Sequence, residues 1–282
     1  MKNFRPSSFD EIVGQDSAKE ILQVKVDAFL KTNQAPGHIL LLGPPGVGKT
    51  SLAQVWANEM GVGFHPVMAA KLNTWDELRE RLSKLKENDI LFIDEVHQLR
   101  GYIQEALYDV MEDFTYDGIT YSNRGEQVKS KVSVPRFTLV GATTHAGTLN
   151  APFRRRFTTP INLQPYTEEE LVVMIDKAAK RIYGLENIDR EVVKRLASLS
   201  KKNASNAYNL LKNLIEFGEA KVQGKLQSGD LTLEVLEKLL YIHSIDPVVG
   251  LDNVTRKYLV ALLSEPKPMG VKALAALLNE QE

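Results

Sequence analysis

The sequence predicts an α/β protein whose first half forms a parallel sheet flanked by helices and whose second half is helical. Three observations carry this. Short apolar runs alternate with helical patterns up to about residue 160. One of those runs leads directly into a Gly-Pro-rich loop ending Gly48-Lys49-Thr50. From Thr167 onward strand signals fade and helical periodicity takes over. Strand–helix alternation of this kind places helices on both faces of a parallel sheet.

In chain order, His38–Leu42 reads as a strand, Lys49–Met60 as a helix, Ile90–Asp94 as a strand, Ile103–Phe114 as a helix and Phe137–Ala142 as a strand. Thr167 and Glu170 have the spacing of a capping box opening a helix to about Tyr183. Helical patterns follow at Arg190–Leu199, Ala204–Gln223 and Leu233–Tyr241. After an Asp-Pro break at Asp246, two more follow, Leu251–Ser264 and Val271–Asn279, with Glu265-Pro266-Lys267-Pro268 between them. The division expected is a P-loop domain over 1–165, a helical subdomain over 166–245 and a small C-terminal segment over 246–282. No low-complexity segment or internal repeat is evident.

Composition excludes several classes. No apolar run approaches the roughly 20 residues a membrane helix needs, and Met1–Arg5 lacks the apolar core of a signal peptide. With no cysteine there are no disulfides or thiolate metal sites, which fits a reducing, cytoplasmic setting. The formal net charge of −1 offers no global basic field for nucleic acid. DNA contact therefore requires a local patch or a partner.

The chemistry is concentrated in four motifs. Gly43-Pro44-Pro45-Gly46-Val47-Gly48-Lys49-Thr50 satisfies the P-loop pattern between a strand and a helix. Its glycines let the backbone wrap phosphate oxygens, and the helix N-terminus adds its positive dipole end. Lys49 reaches the β- and γ-phosphates of ATP, and the Thr50 hydroxyl binds Mg²⁺. Gly43, Pro44, Gly46, Val47, Gly48, Lys49, Thr50 and Ser51 are the expected nucleotide-binding residues of this loop, joined by Asp94 from the next motif. About 45 residues after Lys49, the apolar strand Ile90–Ile93 delivers Asp94 and Glu95 to the end of the sheet where α/β proteins bind ligands. Asp94 is expected at the metal, with Glu95 polarising the attacking water. Phe137–Thr144 is a third buried strand ending in two hydroxyls, Thr143 and Thr144, either of which can orient the water or touch the γ-phosphate; Thr144 is preferred. Arg154-Arg155-Arg156 beside Phe153 and Phe157 is a solvated basic turn or, in a ring ATPase, a subunit-edge arginine that stabilises a neighbour's transition state.

With these motifs in this order, the chain resembles the RuvB family of AAA+ branch-migration motors. Arg5-Pro6 with Phe9–Gln15, Asp94–Leu99, Met111-Glu112-Asp113-Phe114, Phe137–Thr144 and Tyr166–Leu171 carry the resemblance, which is strong to about residue 171 and weaker through the following helices. It implies an AAA+ P-loop NTPase core, a helical lid and a partial winged helix. It also implies ATP and Mg²⁺ as cofactors, a homo-oligomeric ring with a hexamer expected, and branched DNA reached directly or through a RuvA-like junction-binding partner. By the same mapping Arg156 is the trans-acting arginine finger, and Arg5, Ile12, Val13 and Tyr166 line the base pocket. The segment 114–136 reads as a hairpin, Tyr116–Tyr121 and Val128–Val134 around Ser122-Asn123-Arg124-Gly125, which in the family docks the partner.

The pattern departs in three places. Ser205 stands where the family's lid arginine would be, and a serine supplies no fixed positive fork. His145 replaces an arginine beside the third motif. The segment 246–282 matches only the first two helices of the winged helix. A branch-migration motor is the leading expectation; an ATP-switched interaction module or a clamp-loader-like matchmaker uses the same core motifs.

Overall fold

The computed structural model describes residues 5–121, 127–264 and 270–278. The chain divides into two compact units, Arg5–Pro165 and the residues from Tyr166 onward. The first unit contains α1 (Asp16–Thr32), β1 (Ile39–Leu42), α2 (Lys49–Met60), β2 (Phe64–Met68), α3 (Trp75–Leu82), β3 (Ile90–Asp94) and α4 (Gly101–Asp113). It continues with β4 (Thr115–Tyr121), β5 (Gln127–Ser133), β6 (Thr138–Thr143), α5 (Ala151–Arg155) and β7 (Thr159–Asn162).

Five strands form one parallel sheet in the order β2-β3-β6-β1-β7. Side chains alternate faces along a strand, and here both faces are covered. Ile39, Leu41, Ile90, Phe92, Val140 and Ala142 pack with α1 and α2 on one side. Leu40, Leu91, Ile93 and Leu139 pack with α3 and α4 on the other. That two-sided burial explains why β1, β3 and β6 are mostly apolar along their length. The register sets Leu42 beside Thr143 and Ile93 beside Gly141, so the C-terminal ends of these three strands emerge together.

The outer strands β2 and β7 were not legible as apolar runs, and both contain a proline, Pro66 and Pro160. Proline is tolerated at sheet edges, where one side of the ladder is open. The helices α1 and α3 also escaped the sequence reading. The buried stripe of α1, Ala18, Leu22, Val26 and Phe29, has helical spacing but is diluted by exposed Ile21, Val24 and Leu30. The expected helix from Ile103 begins at Gly101 and ends at Asp113, with Phe114 left-handed at its end. The expected hairpin is present as the antiparallel pair β4–β5, registered from Thr115↔Ser133 to Tyr121↔Gln127. Its turn at Ser122–Gly125 lies outside the described residues.

A buried carboxylate fastens β2 to β3 away from the site. Asp89, only 5 % exposed, accepts from the N–H groups of Gly63 (2.8 Å) and Lys86 (2.9 Å) and lies 2.7 Å from His65 Nε2. Burial alone would raise its pKa, but the Lys86, His65 and Gly63 hydrogen bonds outweigh this and hold it below the ordinary carboxylate value. A depressed carboxylate pKa means the unfolded chain binds the proton more readily. The stabilisation is therefore complete above the unfolded pKa of about 3.9 and is lost as pH falls through the folded value. Asp89→Ala is expected to lower stability by about 2 kcal/mol at neutral pH, because it leaves the part-buried Gly63 and Lys86 N–H groups without their carboxylate acceptor. Urea unfolding of the two proteins at pH 7 and pH 3 tests this, with the difference narrowing at the lower pH.

The second unit contains α6 (Glu168–Ala178), α7 (Arg190–Leu199), α8 (Ala204–Glu219), α9 (Leu233–Ile242), α10 (Asn253–Ser264) and α11 (Val271–Leu278). Thr167 and Glu170 form the expected capping box. The helix predicted to reach Tyr183 changes to a π-turn over Ala179–Tyr183 and stops at left-handed Gly184. α8 ends at Glu219 rather than Gln223, because Leu226 and Leu231 fold back over Gly218. One core, built from Leu171, Ile175, Val192, Leu196, Leu211, Leu214 and Leu236 among others, holds α6 to α9 together. The residues 246–264 and 270–278 group with this unit. The turn at Glu265–Pro268 and the end at Asn279–Glu282 lie outside the described residues.

Candidate nucleotide site

The phosphate loop leaves β1 through Gly43, whose φ of +151° is a conformation side chains rarely adopt and where a Cβ would fall 2.8 Å from Leu163 O. Gly46 and Gly48 are also positive in φ, at +76° and +92°, and Gly48 is the N-cap of α2. Alternating conformations of this type turn successive N–H groups into an anion-binding concavity. Val47 is 1 % exposed and anchors the loop in the core, while Pro44 faces solvent. Thr50 and Ser51 follow in the first turn of α2, both half-buried.

Lys49 is buried, and its Nζ donates to Gly43 O at 2.7 Å and Pro44 O at 2.9 Å. Burial pushes this ammonium below the ordinary lysine pKa, while the charges of Glu95 and Asp94 pull it back up. A partly desolvated cation held by weak acceptors is ready to exchange them for phosphate oxygens. Across the sheet end, Thr50 Oγ1 donates to Asp94 Oδ2 at 3.4 Å. This pair of hard oxygens suits a magnesium ion that keeps its other ligands from water and phosphate. Among the described residues no cluster of three His, Cys, Asp or Glu side chains could hold a metal without such help.

Glu95 is a non-glycine residue in the left-handed region (φ 50°, ψ 47°). Such a backbone costs roughly 1–3 kcal/mol and persists where the surroundings over-determine it, often at functional sites. Its Oε2 is 3.2 Å from His97 Nδ1, and Thr144 Oγ1 donates to it at 3.5 Å. Thr144 Oγ1 is also 2.7 Å from His145 Nδ1. Thr143 is fully buried, and its hydroxyl oxygen accepts from the His145 N–H at 2.9 Å and lies 2.9 Å from His97 Nδ1. The two threonines therefore have different surroundings: Thr144 meets Glu95, and Thr143 ties the strand end to the two histidines.

Arg156 follows α5 and turns back onto α4, where its guanidinium donates to Tyr108 Oη and Glu112 Oε2 and lies over the Tyr108 ring at 4.2 Å. Its Nε is buried without a hydrogen-bond partner among the described residues. Tyr108 and Glu112 were not singled out as partners from the sequence. Their i,i+4 spacing on one face of α4 was the available signal.

At the amino-terminal stretch, Arg5 donates to Gln54 Oε1 at 3.2 Å, and Ile12 is buried against the core beside half-buried Val13. The Gln15 amide clamps this stretch to Gln164 through two hydrogen bonds of 2.7 and 3.1 Å. Tyr166 belongs to the second unit, 4 % exposed in its core. In that unit Lys201 and Lys202 are both left-handed, Asn203 caps α8, and Ser205 is exposed in its first turn.

A parallel sheet whose strand ends gather a P-loop lysine, a Thr–Asp oxygen pair and a strained glutamate defines a nucleotide-binding P-loop ATPase of the AAA+ class. The family model for the Holliday junction DNA helicase RuvB P-loop domain matches residues 4–163. The chain is 39 % identical over 281 residues to the Holliday junction branch migration complex subunit RuvB of Myxococcus xanthus, covering 99 % of this chain and 79 % of that one. The same-named protein of Campylobacter concisus is 38 % identical, covering 99 % and 81 %. A solved structure of the Thermotoga maritima RuvB Holliday junction branch migration motor superposes with a TM-score of 0.83 at 31 % identity, covering 99 % of this chain and 86 % of that one. The chain belongs to the RuvB family.

Proposed function

We propose that the protein is an ATP-hydrolysing motor that drives branch migration of Holliday-junction DNA as a homo-oligomeric ring, a hexamer being expected, with a RuvA-like partner. The observation that carries this reading is the Lys49, Thr50, Asp94 and Glu95 constellation in a chain of the RuvB family. Lys49 gives up its loop carbonyls to hold the β- and γ-phosphates of ATP. Thr50 and Asp94 hold Mg²⁺, which neutralises phosphate charge when bound. Glu95 takes up hydrogen-bond contact with the attacking water and polarises it, and the Thr144 hydroxyl beside it helps fix that water. Arg156 leaves the molecule's own Glu112 and Tyr108 and reaches the neighbouring subunit's γ-phosphate. Arg5, Ile12 and Val13 receive the base. The residues 166–245 act as the lid and 246–282 as a partial winged helix.

With no global basic charge, the grip on branched DNA is assigned chiefly to the partner, docked through the β4–β5 hairpin within 114–136. No helix among the described residues is long and apolar enough to cross a membrane, and a cytoplasmic location accords with this work on DNA. Ser205 favours one competing reading, an ATP-switched interaction or clamp-loader-like module with slow or no hydrolysis, because the lid lacks a fixed cation at that position. Glu95 favours the motor, since a switch has no use for a water-polarising carboxylate. Steady-state ATP hydrolysis with and without a four-way junction and a RuvA-type protein separates them. Turnover stimulated by DNA plus partner is expected; tight ATP binding without turnover under every condition would leave the switch.

A further inference from the structure

Two imidazoles at the edge of the site have no part in the mechanism above, yet they close a circuit around it. His145 Nδ1 lies 2.7 Å from Thr144 Oγ1, which donates to Glu95 Oε2 at 3.5 Å. That same oxygen is 3.2 Å from His97 Nδ1, which is 2.9 Å from Thr143 Oγ1, and the Thr143 hydroxyl accepts from the His145 N–H at 2.9 Å. The two rings meet edge to face, with centroids 5.0 Å apart.

We propose that His145, backed by His97, is a positioning residue that sets the direction of the Thr144 hydroxyl and so aims the Glu95 carboxylate at the attacking water. The inference rests on the reading of Glu95 as the water-polarising group. Proton counting carries it further. Thr144 has one hydroxyl proton, and that proton reaches Glu95 only when His145 Nδ1 carries a hydrogen and donates to the Thr144 oxygen. A bare Nδ1 would accept the same proton and leave Glu95 with one donor fewer. The tautomer with hydrogen on Nδ1 therefore keeps the Thr144 Oγ1–H on Glu95 Oε2, beside which His97 Nδ1 stands 3.2 Å away while hydrogen-bonded to Thr143 Oγ1. Glu95 needs this external hold, because its side chain extends from a strained left-handed backbone and has two flexible methylene torsions before the carboxylate. His145 is exposed and belongs to none of the hydrophobic cores, so its removal reports on the site rather than on folding.

The test is steady-state ATP hydrolysis by the full chain carrying His145→Ala or His145→Asn, with the affinity for a fluorescent ATP analogue measured alongside. His145→Ala is expected to lower kcat by about 10- to 100-fold, part of the roughly 10²–10⁴ that a positioned base contributes, with KM and nucleotide affinity within about twofold. His145→Asn is expected to restore most of the loss, because its amide N–H stands near the place of the ring Nδ1–H. His145→Ala at the unsubstituted kcat, or His145→Asn as slow as His145→Ala, would overturn the proposal. An unsubstituted chain that binds nucleotide without turning it over would overturn the reading of Glu95 beneath it as well.

Discussion

Arg156→Ala is expected to lower ATP turnover by about 10³–10⁵-fold, the range in which an arginine finger acts on the transition state, while nucleotide affinity stays near its original value. Arg156 is placed at the end of α5 and satisfied by Tyr108 and Glu112 on α4, both in its own chain. Its buried Nε lacks a partner among the described residues, so the resting contact uses only part of the guanidinium's donor set. Leaving Glu112 for a γ-phosphate exchanges one oxyanion for another with greater charge. Subunit mixing distinguishes this from a fold defect. Arg156→Ala protein has an intact P-loop, and Lys49→Ala protein has an intact finger. Each is expected to be inactive alone, and mixing them is expected to regain turnover at the interfaces that pair the two. A mixture as inactive as its components would place Arg156 in a purely intramolecular role.

The second large effect is at Glu95. Glu95→Gln keeps the size of the side chain and can still accept from Thr144, yet it loses the basic carboxylate. Turnover is expected to fall by about 10²–10⁴-fold, the usual contribution of a positioned general base, with ATP binding retained. The left-handed backbone at Glu95 is set by the chain turning from β3 into Val96–Gln98 and does not depend on the charge. A parallel fall in ATP affinity and turnover would mean that Glu95 serves binding rather than chemistry. Single-turnover measurements with pre-bound nucleotide separate the two.

The site was legible where physics forces a local pattern. Buried on both faces, β1, β3 and β6 are mostly apolar, and each delivers its motif where the apolar stretch stops: Gly43, Asp94 and Thr143. The glycines at 43, 46 and 48 were readable because their backbone leaves no room for side chains or needs left-handed torsions. What stayed hidden depends on contacts between distant residues. The i,i+4 spacing of Tyr108 and Glu112 places them on one face of α4 but does not name them as holders of Arg156, some 44 to 48 residues away. Thr144 lies past the end of β6, so strand alternation does not fix its direction, and the neighbours His97 and Glu95 that Thr143 and Thr144 meet are 46 and 49 residues away. Edge strands β2 and β7 were missed because half-open strands tolerate Pro66 and Pro160. The π-turn at Ala179–Tyr183 has no sequence signature beyond Gly184 after it.

The central claim is that ATP turnover at Lys49, Thr50, Asp94 and Glu95 moves DNA strands, and the most direct test follows a synthetic four-way junction labelled with a donor and an acceptor dye on different arms. The full chain with a RuvA-type protein, ATP and Mg²⁺ is predicted to dissociate the junction into duplexes. The same mixture with Glu95→Gln, or with a non-hydrolysable ATP analogue, is predicted to leave it intact. A junction that stays intact while ATP is hydrolysed and the RuvA-type protein is bound would contradict the account.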